Sequence, residues 1–189
     1  MKETEKVDAL LKVLAVFDKM NIPYVVGGSF ASSIHGMPRI SNGADVLALI
    51  NLKQASAFAA ELQDEFYADE QAIMHAVKTR RSFNVIHLES MFKIDVFVAK
   101  QIGFEAAQLE RRQLEVLKPD PQRTAYVATP EDTILAKLVW YRKGNEISDK
   151  QWQDILGVIR MQAGSLDLEY LRRWAEELEV ADLLARAME

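Results

Sequence analysis

The chain has 189 residues and no cysteine. That excludes disulfides, thiolate zinc sites, iron–sulfur clusters and cysteine nucleophiles. Long apolar runs are missing too. Stretches such as VLALI at 46–50 fall far below the roughly 20 residues a membrane-spanning helix needs. A basic excess is also lacking: 23 lysines and arginines face 28 aspartates and glutamates, for a net charge of −5. The first 100 residues carry 11 basic and 12 acidic side chains and the rest 12 and 16, so neither half has the electrostatic footprint of a typical DNA-binding domain. With 8 glycines and 5 prolines there is no low-complexity tract, repeat or long linker. What is present is 49% hydrophobic and 27% charged residues, enough to bury a core over one domain or a core with a small appendage. The charged opening MKETEKVDALLKVL lacks a secretory apolar stretch, and the expectation is a soluble, cytoplasmic protein.

Hydrophobic spacing orders the chain. Leu10, Leu11, Leu14, Phe17 and Met20 recur at helical period over 3–20, and Tyr24-Val25-Val26 then reads as a short buried strand. Gly27-Gly28-Ser29 turns the chain into a short helix that ends at Gly36 and Pro38. A second apolar strand spans 45–50, followed by helices over 52–66 and 70–78. Residues 83–89 and 92–99 predict an antiparallel hairpin. A helix over 102–111 and two β-leaning pieces at 113–117 and 125–127 come next. Thr129 then caps a helix with Pro130 at its first position, and helices are expected over 130–143, 148–161, 167–178 and 180–188. The reading is an α/β core over 1–128 with an all-helical region over 129–189 packed on it.

Three features carry chemistry. Gly27, Gly28 and Ser29 lie between a strand and a helix, where backbone N–H groups can seat a phosphate; a tight structural turn is the plainer reading. The P-loop ending and the Gly-x-Gly-x-x-Gly fingerprint are both absent, as is the Gly-x-Ser-x-Gly elbow of serine hydrolases. Asp45 and Asp95 are isolated acids in apolar strands, where a carboxylate is costly unless paired, hydrogen-bonded or bound to a cation. On neighbouring strands they can gather Mg²⁺ for phosphoryl or nucleotidyl transfer; the plainer reading is an Asp45 cap and an ion pair of Asp95 with Lys93 or an arginine. Lys93 shares a strand face with Asp95, so it either touches phosphate or neutralises that acid. Arg39 is a candidate triphosphate contact, and Lys137 a candidate for reaching a nucleotide. His35, His75 and His87 read as structural, and Trp140, Tyr141, Trp152 and Trp174 as core aromatics rather than base-stacking platforms.

GGSFASSIHGMPR, the strand at Asp45 and FKIDVFV together resemble the nucleotidyltransferase superfamily. The tail, PEDTILAKLVWYRKG with SDKQWQDILGVI and LDLEYLRRWAEELEVADLLARA, is similar to its minimal bacterial branch, related to the AbiEii toxin and toxin–antitoxin nucleotidyltransferases. The resemblance covers about residues 4–187. It implies a mixed β-sheet flanked by helices, and transfer of a nucleoside monophosphate from a triphosphate to a hydroxyl or phosphate acceptor. By resemblance Gly27, Gly28 and Ser29 grip the triphosphate, Asp45 is the second of two metal-binding acids, and Asp95 is the third acid, binding metal or deprotonating the acceptor. The first acid falls on Gly43, which has no side chain, and Asn42 and Ser41 offer only neutral oxygens. Leu49 lies where many relatives have another acid.

The expected cofactors are Mg²⁺ or Mn²⁺ and a nucleoside triphosphate if the protein is active. Loss of one of three carboxylates points to weakened or lost transfer. The alternative is a non-catalytic nucleotide-binding or protein-interaction module. A protein or RNA acceptor and a homodimer stay open as partners, and no membrane is expected. Seven acids against three arginines in the last 25 residues favour a solvated helix or a basic partner surface over nucleic acid.

Overall fold

The computed structural model describes residues 3–39 and 41–189. It divides into two compact units, one holding the chain up to Val26 and 41–127, the other Gly27–Arg39 and Ala128–Glu189.

The first unit is built on a 7-stranded mixed sheet. Its strands are β1 (Tyr24–Val26), β2 (Gly43–Ala48), β3 (Phe66–Tyr67), β4 (Ser82–His87), β5 (Lys93–Val98), β6 (Gln113–Pro119) and β7 (Gln122–Val127), in the order β3-β4-β5-β2-β1-β7-β6. The pairs β2/β5 and β1/β7 are parallel and the others antiparallel. Helices α1 (Glu3–Lys19), α3 (Leu52–Leu62), α4 (Glu70–Thr79) and α5 (Phe104–Arg111) belong to the same unit.

Strand alternation decides which side chains these helices cover. Val46, Val96 and Phe83 form one row across three strands and Ala44, Ile94 and Val85 another; all six are buried. Against that face lie Phe17 of α1 and Phe58 of α3, whose rings stack at 4.7 Å, with Phe83 meeting Phe58 edge-on at 6.1 Å. Asn51 starts α3 through a capping box with Gln54, two orphan backbone donors satisfied together.

The second unit is helical: α2 (Gly28–His35), α6 (Pro130–Lys143), α7 (Asp149–Met161), α8 (Leu168–Glu177) and α9 (Ala181–Met188). Thr129 accepts a hydrogen bond from the Asp132 amide, with Pro130 behind it, as the sequence predicts. Ile134, Leu135, Leu138, Ile155 and Val158 are fully buried. Chain order assigns residues 27–39 to the α/β part, yet they cluster with these helices. The physical reason lies at the end of α2, where a Cβ at Gly36 would stand 2.8 Å from the Val158 amide nitrogen, so glycine permits a backbone contact with α7. His35 completes the tie, its Nε2 lying 2.7 Å from the Ala128 carbonyl oxygen, while Gln162 donates to the His35 carbonyl at 2.9 Å.

Several boundaries differ from the sequence reading. β2 begins at Gly43 rather than Asp45, β7 at Gln122, and the helix expected over 52–66 ends at Leu62. The two-residue β3 was not anticipated. Trp140, expected in the core, is half exposed, with the Lys143 ammonium 5.0 Å from its ring centre. Among the described residues no helix is long and apolar enough to cross a membrane.

Phe58 is fully buried between two aromatic partners, so Phe58→Ala should cost about 3–5 kcal/mol. Urea denaturation checks this; a loss below about 1 kcal/mol would contradict the packing.

Candidate functional site

The face of the sheet opposite the core carries Gly43, Asp45 and Leu47 on β2, Lys93, Asp95 and Phe97 on β5, and Ser82, Asn84 and Ile86 on β4. Asp45 pairs with Asp95 across the parallel ladder, and Asp95 with Asn84 across the antiparallel one. Paired residues share a face at a strand spacing of about 4.8 Å. The two carboxylates named from sequence are thus immediate neighbours on one surface. Lys93 lies on the same face, its Nζ 2.9 Å from Asp95 Oδ2, with the lysine side chain 49% and the aspartate 25% exposed. The ion pair weighed as the plainer reading of Asp95 is therefore present.

Gly43 is the register partner of Lys93. A Cβ at Gly43 would lie 2.9 Å from the Lys93 carbonyl oxygen, inside the distance real Cβ atoms keep from backbone, so this pair carries one side chain rather than two. The loop before it is held in place. Ser41 Oγ donates to the Gly43 carbonyl at 2.6 Å. From α1, the buried Lys6 ammonium donates to the Ser41 carbonyl at 2.7 Å and to Asn42 Oδ1 at 3.3 Å. Asn42 and Ser41, considered as substitute oxygen ligands, are engaged in this clasp.

Among the described residues no group of three or more His, Asp or Glu side chains is placed to hold a metal ion. Asp45 and Asp95 supply two carboxylates and the ammonium already lies on one of them. Two carboxylates fall short of the donors for the two ions about 4 Å apart of a two-metal site.

The remaining sequence-named residues lie in the helical unit. Gly27 precedes α2 as its N-cap with φ −122°, and a Cβ there would meet nothing within 4 Å. Gly28 has φ +56°, the left-handed region where an L side chain costs roughly 1–2 kcal/mol. Ser29 lies in the first turn, and its carbonyl accepts from Ser32 Oγ at 3.2 Å. Arg39 grips Asp154 of α7 with a two-pronged contact, Nε to Oδ1 and Nη2 to Oδ2, both at 2.7 Å. Lys137 of α6 donates to the same carboxylate at 2.8 Å. Burial pushes the Asp154 carboxyl up, but hydrogen bonds from Arg39 and Lys137, with their charges, outweigh it and hold it below the ordinary carboxylate value. Glycine turn and sheet carboxylates thus fall in different units.

Sequence reasoning missed Lys6, Asn84 and Asp154. Two of them had a readable signal. Lys6 continues the stripe of Leu10, Leu14 and Phe17, and Asp154 shares a helix face with Val158; a charge in an apolar register needs a partner. Asn84 had none, since its place depends on strand register.

No protein-family model matches the sequence, and no curated protein matches it. Solved structures do. ANT(2'')-Ia in complex with adenylyl-2''-tobramycin is similar at 14% identity and TM-score 0.57, over 93% of this chain and 97% of that one. The solution structure of the same antibiotic-resistance factor gives 16% and 0.56, over 98% and 94%. An antigenic nucleotidyltransferase-like protein from Paracoccidioides brasiliensis gives 15% and 0.53, over 97% and 92%. The chain has the nucleotidyltransferase fold.

Two predictions follow from this geometry. Gly43→Ala and Gly43→Asp should each destabilise the protein by about 1–3 kcal/mol through overpacking against the Lys93 carbonyl; unchanged melting temperatures would show that the strands part freely there. Asp154→Asn should cost about 3 kcal/mol, because two cations lose their shared carboxylate. A lowered folded value means that Asp154 stabilises fully at neutral pH and loses this as pH falls below 3.8 and through the folded value. Urea midpoints of the two proteins should therefore differ by a constant amount near neutrality and converge only in that acid range.

Proposed function

We propose that this protein is a nucleoside-triphosphate-binding member of the nucleotidyltransferase superfamily whose transfer activity is weakened or lost. One observation carries the reading: Asp45 and Asp95 stand side by side on one sheet face, while the position of the first acid is Gly43, with no room for a side chain. The resemblance of the tail to the AbiEii-related branch supports the same superfamily.

In this reading Gly27, Gly28 and Ser29 receive the triphosphate, glycine allowing close backbone approach to the anion. Arg39 and Lys93 add positive charge, Arg39 from a guanidinium already oriented by Asp154. Asp45 and Asp95 are the residues to hold a Mg²⁺ or Mn²⁺ ion, which when bound supplies charge neutralisation at the phosphates. In the ancestral reaction the acceptor oxygen forms a bond to the α-phosphorus. The bond from that phosphorus to the bridging oxygen breaks, its electron pair leaving on pyrophosphate, and the acceptor proton passes to a base. Asp95 is the carboxylate proposed for that proton. With two acids instead of three, negative charge and ligands for a metal ion would be reduced, and binding outlasts transfer.

The test is binding and transfer with four labelled nucleoside triphosphates in Mg²⁺ or Mn²⁺, on the unmodified protein and on Ser29→Ala and Asp45→Asn. The expected outcome is saturable binding, weakened about tenfold by Ser29→Ala, with little or no label passed to an acceptor and none by Asp45→Asn. Rapid label transfer would overturn the weakened site, and no binding of any triphosphate would leave the protein-interaction module.

A further inference from the structure

The three positions Gly43, Lys93 and Asp95 form one unit. Gly43 and Lys93 are opposite each other in the parallel ladder, and Lys93 and Asp95 are two residues apart on the same face. At the position where an acid would help hold a cation, the chain has no side chain and no space for one. Its ladder partner instead sends an ammonium onto the neighbouring carboxylate at 2.9 Å. We infer that the Lys93 ammonium serves as a built-in cation at Asp95, so that the triphosphate binds without a divalent metal ion.

The chemistry supports this assignment. An ammonium has three N–H donors, and Asp95 Oδ2 takes one, which leaves donors for phosphate oxygens while the charge stays fixed on the sheet. A lysine is a compact point charge suited to phosphate. Lys93 is half exposed and open to a ligand from solvent. A divalent ion at Asp95 must displace this ammonium or tolerate its like charge at close range, both of which weaken metal binding. The two features act in the same direction: an absent carboxylate at position 43 removes a metal ligand, and a lysine beside it supplies positive charge.

This inference rests on the nucleotide reading above, and the experiment separates the two. Binding of a non-hydrolysable α,β-methylene ATP analogue is measured by calorimetry, in excess EDTA and in excess Mg²⁺. The proteins are the unmodified chain, Lys93→Gln and Lys93→Arg. The unmodified protein should bind with affinities within about threefold of each other in the two conditions. Lys93→Gln should lose about tenfold or more in EDTA and recover in Mg²⁺, because Asp95 is then released to the metal. Lys93→Arg, which keeps the charge, should stay metal-independent. Binding by the unmodified protein only in Mg²⁺, or an equal change for Lys93→Gln in both conditions, would overturn the inference while leaving the nucleotide reading intact. Absence of binding in both conditions would overturn the nucleotide reading itself.

Discussion

The parallel contact of β2 with β5 is the constraint on which the sheet unit depends. Strand side chains alternate, so the register that buries Val46 beside Val96 also sets Asp45 beside Asp95 on the other face. A slip of either strand by one residue would drive its carboxylate into the layer occupied by Phe17 and Phe58, at the cost of burying charge among aromatic rings. Core packing and acid placement are thus one choice. The same register leaves Gly43 against the Lys93 carbonyl, so the glycine is a fitted part of the ladder and not merely a residue that has lost a side chain.

The two units treat charge in opposite ways. Asp45 and Asp95 are half-buried on a face with an ammonium beside them. In the helical unit Glu131 and Asp132 are buried and committed to structure, Glu131 accepting from the Asp167 amide at 3.0 Å and Asp132 from the Tyr170 hydroxyl at 2.7 Å. Those contacts tie α6 to α8. Buried acids with such partners are costly to disturb and poor candidates for chemistry. Accessible acids of the sheet are the reverse, since a partly exposed ion pair contributes at most about 1 kcal/mol and leaves its groups within reach of a ligand.

Much of this was legible in the residues. Alternation in 83–89 and 92–99 foretold β4 and β5, and Thr129-Pro130 marked the start of α6 because its capping chemistry is local. Asp45 and Asp95 could be named as costly strand acids, but their adjacency depends on pairing two segments with some fifty residues between them, which no local pattern encodes. The apolar run reads as a strand from Asp45 onward; only the ladder partner shows that Gly43 lies inside the sheet. β3 has two residues and no periodicity to read. Trp140 reads as a core aromatic because no basic stripe accompanies it, and the structure leaves it half exposed beside Lys143. Segment 27–39 follows a strand in the chain, yet its side chains pack on helices more than a hundred residues later.

Asp154 is shared by Arg39 and Lys137, which lie far apart in the chain. One carboxylate satisfying two cations makes the three positions a single heritable trait. A lineage that loses the acid keeps two buried or half-buried charges with a common partner missing, and it must then change both or replace the acid. Relatives of this protein should accordingly carry the arginine, lysine and aspartate together or lack them together.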